Sequence, residues 1–434
     1  MKLAVISDTH LGDPLCSLVE KNGEDYTDGK KYNEFREAAG IGNDYLILLG
    51  DILDFSVTSY ENAYRAGKVF FSLIQRDNIA EQIIYVPGNH DYDIWNIVEN
   101  EVNIIHQIKN GTLPRKFRTA VPGILDDRTN TNTPGLTLPG VGKRSDGSYT
   151  YGGLFLDHIT DEPSHFIFCY PNLYLVTDEG TILMTHGHYL DNYWSLLSKW
   201  APIIFGSDLK LGTKMDIREM VGINFPLNQL ACSGVGQAGI LSEILSRVQQ
   251  QIKDGKNKET KQYLDNLDNY LDENVFDYRK WYQFINESAS DFASNKAKQL
   301  ILDKISSETK VRYNKEYFEL PEVQGRFFDY YNTCLVEVED LGKLYNTHIP
   351  EPERIIFGHT HEPISTENPV KIQSHSGTTI NLYNTGGWLH MHSLKNNAFT
   401  GAEVFKYESS LSCYSISIYE VPEDGKMNST QLKK

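Results

Sequence analysis

Met1-Lys-Leu-Ala-Val-Ile-Ser-Asp8-Thr-His10 opens the chain: an apolar run, then a serine, a carboxylate and an imidazole in close succession. A short unbroken apolar run bounded by polar residues reads as a strand buried on both faces, here Leu3–Ser7. The same grammar recurs four times. Tyr45–Leu49 (YLILL) runs into Gly50-Asp51-Ile-Leu-Asp54, and Gln82–Val86 (QIIYV) into Gly88-Asn89-His90-Asp91. Thr181–Thr185 (TILMT) runs into His186-Gly-His188, and Arg354–Phe357 (RIIF) into Gly358-His359-Thr-His361. Between the second and third strands, Val69, Phe70, Leu73 and Ile74 recur at helical spacing, which predicts a helix over Tyr64–Gln75. Further strands are expected at Thr379–Tyr383, Ala402–Tyr407 and Ser412–Tyr419, the last alternating like a half-exposed antiparallel edge. Strands alternating with helices, then a run of strands, predict an α/β core with two sheets.

The five polar clusters follow strand ends. In an α/β sheet the carboxyl ends of the strands share one edge, so clusters far apart in sequence can meet there. Carboxylate and imidazole without thiolate suit manganese, iron or zinc in a hydrolytic site. The glycines let the backbone turn sharply where such groups must project. Each cluster alone is an ordinary turn or cap; five in order, each at a strand end, are not.

The order D-x-H, G-D-x-x-D, G-N-H-[DE], a later His and G-H-x-H resembles the calcineurin-like metallophosphoesterase superfamily, over roughly 1–93, 182–190 and 354–388. The resemblance implies a two-sheet β-sandwich flanked by helices and a site for two divalent metal ions, manganese first, with iron, zinc or nickel as alternatives. Asp8, His10 and His361 would hold one ion, and Asn89, His186 and His359 the other. Asp51 would bridge them at the ~3.5–4 Å separation of two-metal hydrolases. His90 would serve as general acid or stabilise the transition state, oriented by Asp54. His188 is assigned to substrate phosphate or to support of the ligands, with an exchange of roles between His186 and His188 left open. Asp91 is expected to brace its loop. Phe55 and Asp91 stand where protein phosphatases of the superfamily carry Arg and Glu, which argues against that activity. UDP-diacylglucosamine pyrophosphohydrolases of the superfamily also insert helices after the fourth motif, though some carry Arg at the position of His90.

The chain has 434 residues, 40% of them hydrophobic and 23% charged, as in a globular protein rather than a disordered one. Two insertions interrupt the predicted core of 1–189 and 351–422: a Gly/Pro/Thr-rich stretch at about 110–163, read as a long ordered loop, and 190–350, read as a helical cap. Residues 423–434 read as a polar tail. In the cap, Ile240, Leu241, Ile244, Leu245 and Val248 trace one helical face, and Gly234-Val-Gly236-Gln-Ala-Gly239 mimics a dinucleotide fingerprint but lacks the preceding strand that such a site requires. The five scattered cysteines form no metal or disulfide pattern and are expected reduced. No apolar run is long enough to span a bilayer and no signal peptide opens the chain, so the sequence reads as cytoplasmic. A net charge of −17 without a basic stripe makes nucleic acid an unfavoured partner.

The expected activity is hydrolysis of a phosphomonoester, phosphodiester or pyrophosphate bond in a small or lipid-linked substrate, by a metal-bridging hydroxide. A nuclease of the same fold and a low-turnover metal-binding scaffold are the alternatives. Oligomeric state is not legible.

Overall fold

The structure, a computed structural model, describes residues 1–131, 133, 135–139, 155–156, 158–160, 166–191, 194–195, 197–198, 216–229, 232, 315–374, 377–390 and 401–418. The fingerprint-like glycines, the Ile240–Val248 face, His165, His392 and the tail lie outside them.

Sixteen strands are present in chain order among the described residues. They are β1 (Lys2–Ile6), β2 (Val19–Asn22), β3 (Asp25–Asp28), β4 (Asn43–Leu48), β5 (Ala80–Tyr85), β6 (Gly123–Asp126), β7 (Gly135–Thr137) and β8 (Phe166–Phe168). Then come β9 (Asn172–Thr177), β10 (Gly180–Thr185), β11 (Pro352–Phe357), β12 (Pro363–Ile364), β13 (Val370–Gln373), β14 (Thr379–Thr385), β15 (Gly401–Glu408) and β16 (Ser410–Ser417). One sheet runs β16-β15-β1-β4-β5-β8; the other runs β12-β14-β11-β10-β9-β6-β7, with β13 also on β14. β2 and β3 form a separate hairpin. The protein is an α/β two-sheet sandwich flanked by helices, as the sequence predicts.

Alternation along β1 explains the layering. Leu3 and Val5 join Ile47, Ile84, Leu173, Leu175, Ile182, Met184 and Ile356 in the core between the sheets. Ala4 and Ile6 face the other way, into the helix layer. That layer includes α1 (Tyr32–Ala39) and α2 (Tyr60–Arg76). Helix α2 starts where the Ser59 hydroxyl accepts the Asn62 N–H at 3.2 Å, and it buries Ala63, Ala66, Phe70, Phe71 and Ile74. Burying each such phenylalanine stabilises the fold by roughly 1.5–3 kcal/mol. Helix α3 (Tyr92–Asn100) follows the third cluster.

The structure adds strands that the sequence reading does not assign: β2, β3, β6, β7, β8, β9, β12 and β13. Residues 110–163, expected as loop, supply β6 and β7 to the edge of the second sheet. β9 is buried along all six residues, and the Asp178-Glu179-Gly180 turn joining it to β10 is its hairpin signal in the sequence. Within 190–350, two described helices lie against the core: α4 (Ile217–Gln229) and α5 (Pro321–Tyr345). Helix α5 begins with a proline in its first turn and ends at Asn346 with φ 50°. It packs on the second sheet, where the Tyr331 hydroxyl donates to Pro352 O at 2.8 Å and the Tyr330 hydroxyl to Asn172 Oδ1 at 2.6 Å. All five cysteines are free thiols, four of them buried. Among the described residues no helix is long and apolar enough to cross a membrane.

Glu337 of α5 is buried beneath this helix, its Oε2 accepting from Asn172 Nδ2 and the Tyr174 hydroxyl, both at 2.7 Å. Burial pushes its carboxyl up to about 7, against those two hydrogen bonds. The folded state therefore holds a proton that the unfolded chain has lost between about pH 4.5 and pH 7, and stability falls as pH rises through that window. Glu337→Gln keeps an acceptor without the charge. It is expected to raise stability at pH 8 by up to about 3 kcal/mol and to flatten the dependence between pH 5 and 8, measured as urea midpoints of both proteins.

Candidate metal centre

Strands β1, β4 and β5 are parallel in one sheet, and β10, β11 and β14 in the other. Their carboxyl ends bring the five clusters to one edge of the sandwich. Backbone hydrogen bonds tie the turns together: Asp8 N–H to Gly50 O at 3.0 Å, His10 N–H to Asp51 O at 2.9 Å, and Gly358 N–H to His186 O at 3.0 Å. The Trp388 N–H closes the ring on Asp8 O at 3.1 Å.

The local backbone is costly. Asp8, His10, Asp51, His359 and His361 all have φ between 48° and 66°. They are five of the eight non-glycine residues with positive φ in the described chain. Each costs on the order of 1 kcal/mol, and such strain gathers where a function holds it in place. Glycine then becomes obligatory at the crossings. A Cβ on Gly358 would lie 2.1 Å from Ser7 Oγ and 2.2 Å from Asp8 Oδ2; one on Gly88 would lie 2.3 Å from Asp51 Oδ1.

Two groups of side chains converge across this edge as metal ligands could: Asp8, His10 and His361, and Asp51, His186 and His359. A third such group, His10, Asp51 and His90, overlaps the first two. On one side His361 Nε2 lies 3.2 Å from Asp8 Oδ1 and 3.1 Å from His10 Nε2. On the other, His186 Nε2 lies 3.2 Å from Asp51 Oδ2 and 3.1 Å from Asn89 Oδ1. The second nitrogen of two rings is engaged elsewhere. His186 Nδ1–H donates to Leu49 O at 2.8 Å, and His10 Nδ1–H to Asp54 Oδ2 at 2.8 Å. Their neutral tautomers therefore aim Nε2 lone pairs at oxygens and at another imidazole, which repel them unless positive charge stands between.

The electrostatics agree. Burial opposes ionisation of Asp8 and Asp51, but the surrounding histidines hold both carboxyls below their ordinary range, Asp51 strongly so. Burial alone would lower the pKa of His186, yet Asp51 lifts it to about 9. Protonation of these imidazoles is one way to supply the positive charge that the facing carboxylates call for, and a bound cation is the other. The donor set of carboxylate, imidazole and amide oxygen fits hard-to-borderline divalent ions.

The remaining predicted residues fall around this centre. Asp54 is buried and spans two imidazoles: Oδ2 receives His10 Nδ1–H, and Oδ1 lies 3.1 Å from His90 Nδ1. Burial opposes its charge, but His90 and His10 keep it ionised far below the usual range. His90 is partly exposed, at 26%, and its backbone N–H donates to Asp51 Oδ1 at 2.7 Å. Asp91 ties its loop, accepting from Gly88 N–H at 2.6 Å, Ile52 N–H at 2.8 Å and the Tyr85 hydroxyl at 2.5 Å. His188 stands outside the three groups, its Nε2 3.4 Å from the Tyr170 hydroxyl, and burial keeps it neutral. Of the other histidines, His106 is an exposed partner of Asn110, and His390 lies 3.3 Å from Ile418 O.

Residues 1–214 match the family described as calcineurin-like phosphoesterase. Over those residues the chain is similar to that family. No curated protein matches it. The match takes in four of the five clusters and stops short of Gly358–His361, which the parallel pairing of β10 and β11 brings back to the same edge.

The sequence reading missed Asp191, three residues past His188. Its Oδ2 lies 3.4 Å from His359 Nε2. With Nε2 turned toward a carboxylate, Nδ1 is the His359 nitrogen that would meet an ion, and the carboxylate would set its tautomer. A carboxylate close behind the fourth motif was the only available signal. Asp191→Ala is expected to weaken divalent-metal binding about 10–100-fold, read by calorimetric titration with Mn²⁺ at constant pH. Gly358→Ala should lose about 1–3 kcal/mol of stability along with metal binding; a thermal melt matching the wild type would contradict the close packing described above.

Proposed function

We propose that this chain is a calcineurin-like phosphoesterase that uses two divalent ions, manganese first, to hydrolyse a phosphate ester or pyrophosphate bond of a small or lipid-linked substrate. The observation that carries this reading is the convergence of imidazole lone pairs and ionised carboxylates across the Asp8–Asp51–His359 edge. Asp8, His10 and His361 would hold one ion, and Asn89, His186 and His359 the other, with Asp51 between them. When bound, such a pair neutralises phosphoryl oxygens and lowers the pKa of water, making hydroxide available near neutral pH.

The chain's own groups account for the rest. His90 points Nδ1 at Asp54 Oδ1, so its Nε2 can hold a proton for the leaving oxygen at the partly open rim. The ionised Asp54 favours the protonated ring and fixes its orientation. His188, buried and neutral, supports the His186 side rather than adding charge. Among the described residues the ion pairs at the centre are all His–Asp, with no lysine or arginine. Together with the charge of −17, this disfavours the long phosphate backbone of a nucleic acid as substrate.

With Mn²⁺ and bis-p-nitrophenyl phosphate, His90→Ala is expected to lower kcat about 10²–10⁴-fold while metal content stays unchanged. Asp51→Ala should lose both metal and turnover. Absence of turnover in the wild-type protein across monoesters, diesters and nucleoside diphosphate compounds, with Mn, Fe, Zn or Ni, would favour the scaffold reading. Preferential cleavage of single- or double-stranded DNA would favour the nuclease.

A further inference from the structure

Helix α3 begins directly after the Gly88–Asp91 loop, and its amino end is not served by its own cap. The Asp91 side chain makes no capping bond, because its oxygens are committed to Gly88, Ile52 and Tyr85. A helix start leaves backbone N–H groups needing partners. A side chain from the stretch between β10 and β11 reaches this end: the Cys232 S–H donates to Asn89 O at 3.1 Å.

The contact is reinforced from α4. Gln229 Nε2 donates to Asp93 Oδ1 at 2.8 Å, and Gln229 Oε1 accepts from Asn96 Nδ2. The Phe225 ring meets Tyr92 edge-on at 5.6 Å, and Asn228 Nδ2 reaches the Tyr189 hydroxyl at 3.4 Å, beside His188. On the Asn89 side chain, Oδ1 lies 3.1 Å from His186 Nε2 and, among the described residues, Nδ2 has no hydrogen-bond partner. Its Oδ1 is therefore aimed by the loop backbone, and that backbone is gripped by Cys232.

We propose that helix α4 and Cys232 are a brace for the Asn89 loop, with Cys232 and Gln229 as positioning residues that set the affinity of the Asn89–His186–His359 side for its metal ion. This rests on the dinuclear reading given above. The stretch between β10 and β11 is then part of the centre's scaffold, whatever else its remaining residues cover.

The test is titration of the full-length protein with Mn²⁺ alone, by calorimetry and electron paramagnetic resonance, with hydrogen exchange followed over residues 88–93. Cys232→Val, which keeps the size and removes the polar hydrogen, is expected to weaken one of two Mn²⁺ equivalents about tenfold or more, lose the signal of coupled ions and speed exchange at 88–93. Cys232→Ser should recover most of the affinity, and Gln229→Leu should reproduce the loss if the valine variant does not fold. Wild-type affinity for both equivalents in Cys232→Val or Gln229→Leu overturns the brace. Equal weakening of both equivalents, or faster exchange throughout the chain, overturns it too, since that marks a general loss of structure. Asn89→Ala separates the two levels of the argument. If it retains both equivalents, the assignment of Asn89 to the centre falls, and the brace with it; if it loses one while Cys232→Val loses none, only the brace falls.

Discussion

Three buried aspartates and a ring of histidines are pressed against one another at one edge of the sandwich, and the negative charge and facing lone pairs there require compensation. Removing carboxylates from water costs several kcal/mol apiece unless opposite charge is close by. Asp8, Asp51 and Asp54 are almost fully inaccessible, and their nearest ion-pair partners are imidazoles. Protons on those imidazoles can meet the requirement, and so can divalent ions. The left-handed backbone at five of these residues, and glycines packed against ligand atoms, are conformational costs that the surrounding sheets hold in place.

The sandwich supplies that rigidity through two parallel triplets of strands whose ends point the same way. β1, β4 and β5 deliver the aspartates and the Asn89–Asp91 loop; β10 and β11 deliver the histidines of the last two clusters. Because the inter-sheet core is built from both, with Val5 and Ile47 in the same cluster as Ile182 and Ile356, neither half of the centre can shift without disturbing the other. Interiors packed to this density transmit displacement rather than absorb it. The same coupling explains why support comes from several directions: Asp54 behind His10 and His90, Asp191 behind His359, and Cys232 behind Asn89.

The stretch between β10 and β11 has a mixed character. Helix α5 is part of the layer that covers the second sheet, with Tyr330, Cys334 and Glu337 buried against it. Helix α4 reaches the amino end of α3. Polar residues recur at both contacts, which fits a surface that must be positioned as well as covered. Glu337, buried as a carboxyl with its pKa lifted to about 7, illustrates the cost of that choice.

Much of this was legible in the chain itself. Apolar runs such as Leu3–Ile6 and Tyr45–Leu49 declare buried strands because backbone periodicity and solvent exclusion act locally, and the residue types that follow each run declare the chemistry that the strand end can offer. Of the strands not assigned from sequence, β6, β7 and β9 lie in or beside a stretch whose glycines and prolines mask short pairing segments, and β2, β3, β8, β12 and β13 are segments of two to four residues; pairing is a non-local property. Which nitrogen of His186 or His10 faces the centre, that Asp191 backs His359 and that Cys232 bonds to Asn89 O were decided only by tertiary structure. Each depends on through-space distances of a few ångströms between residues up to 168 positions apart, as for His359 and Asp191, and sequence spacing carries no record of such distances.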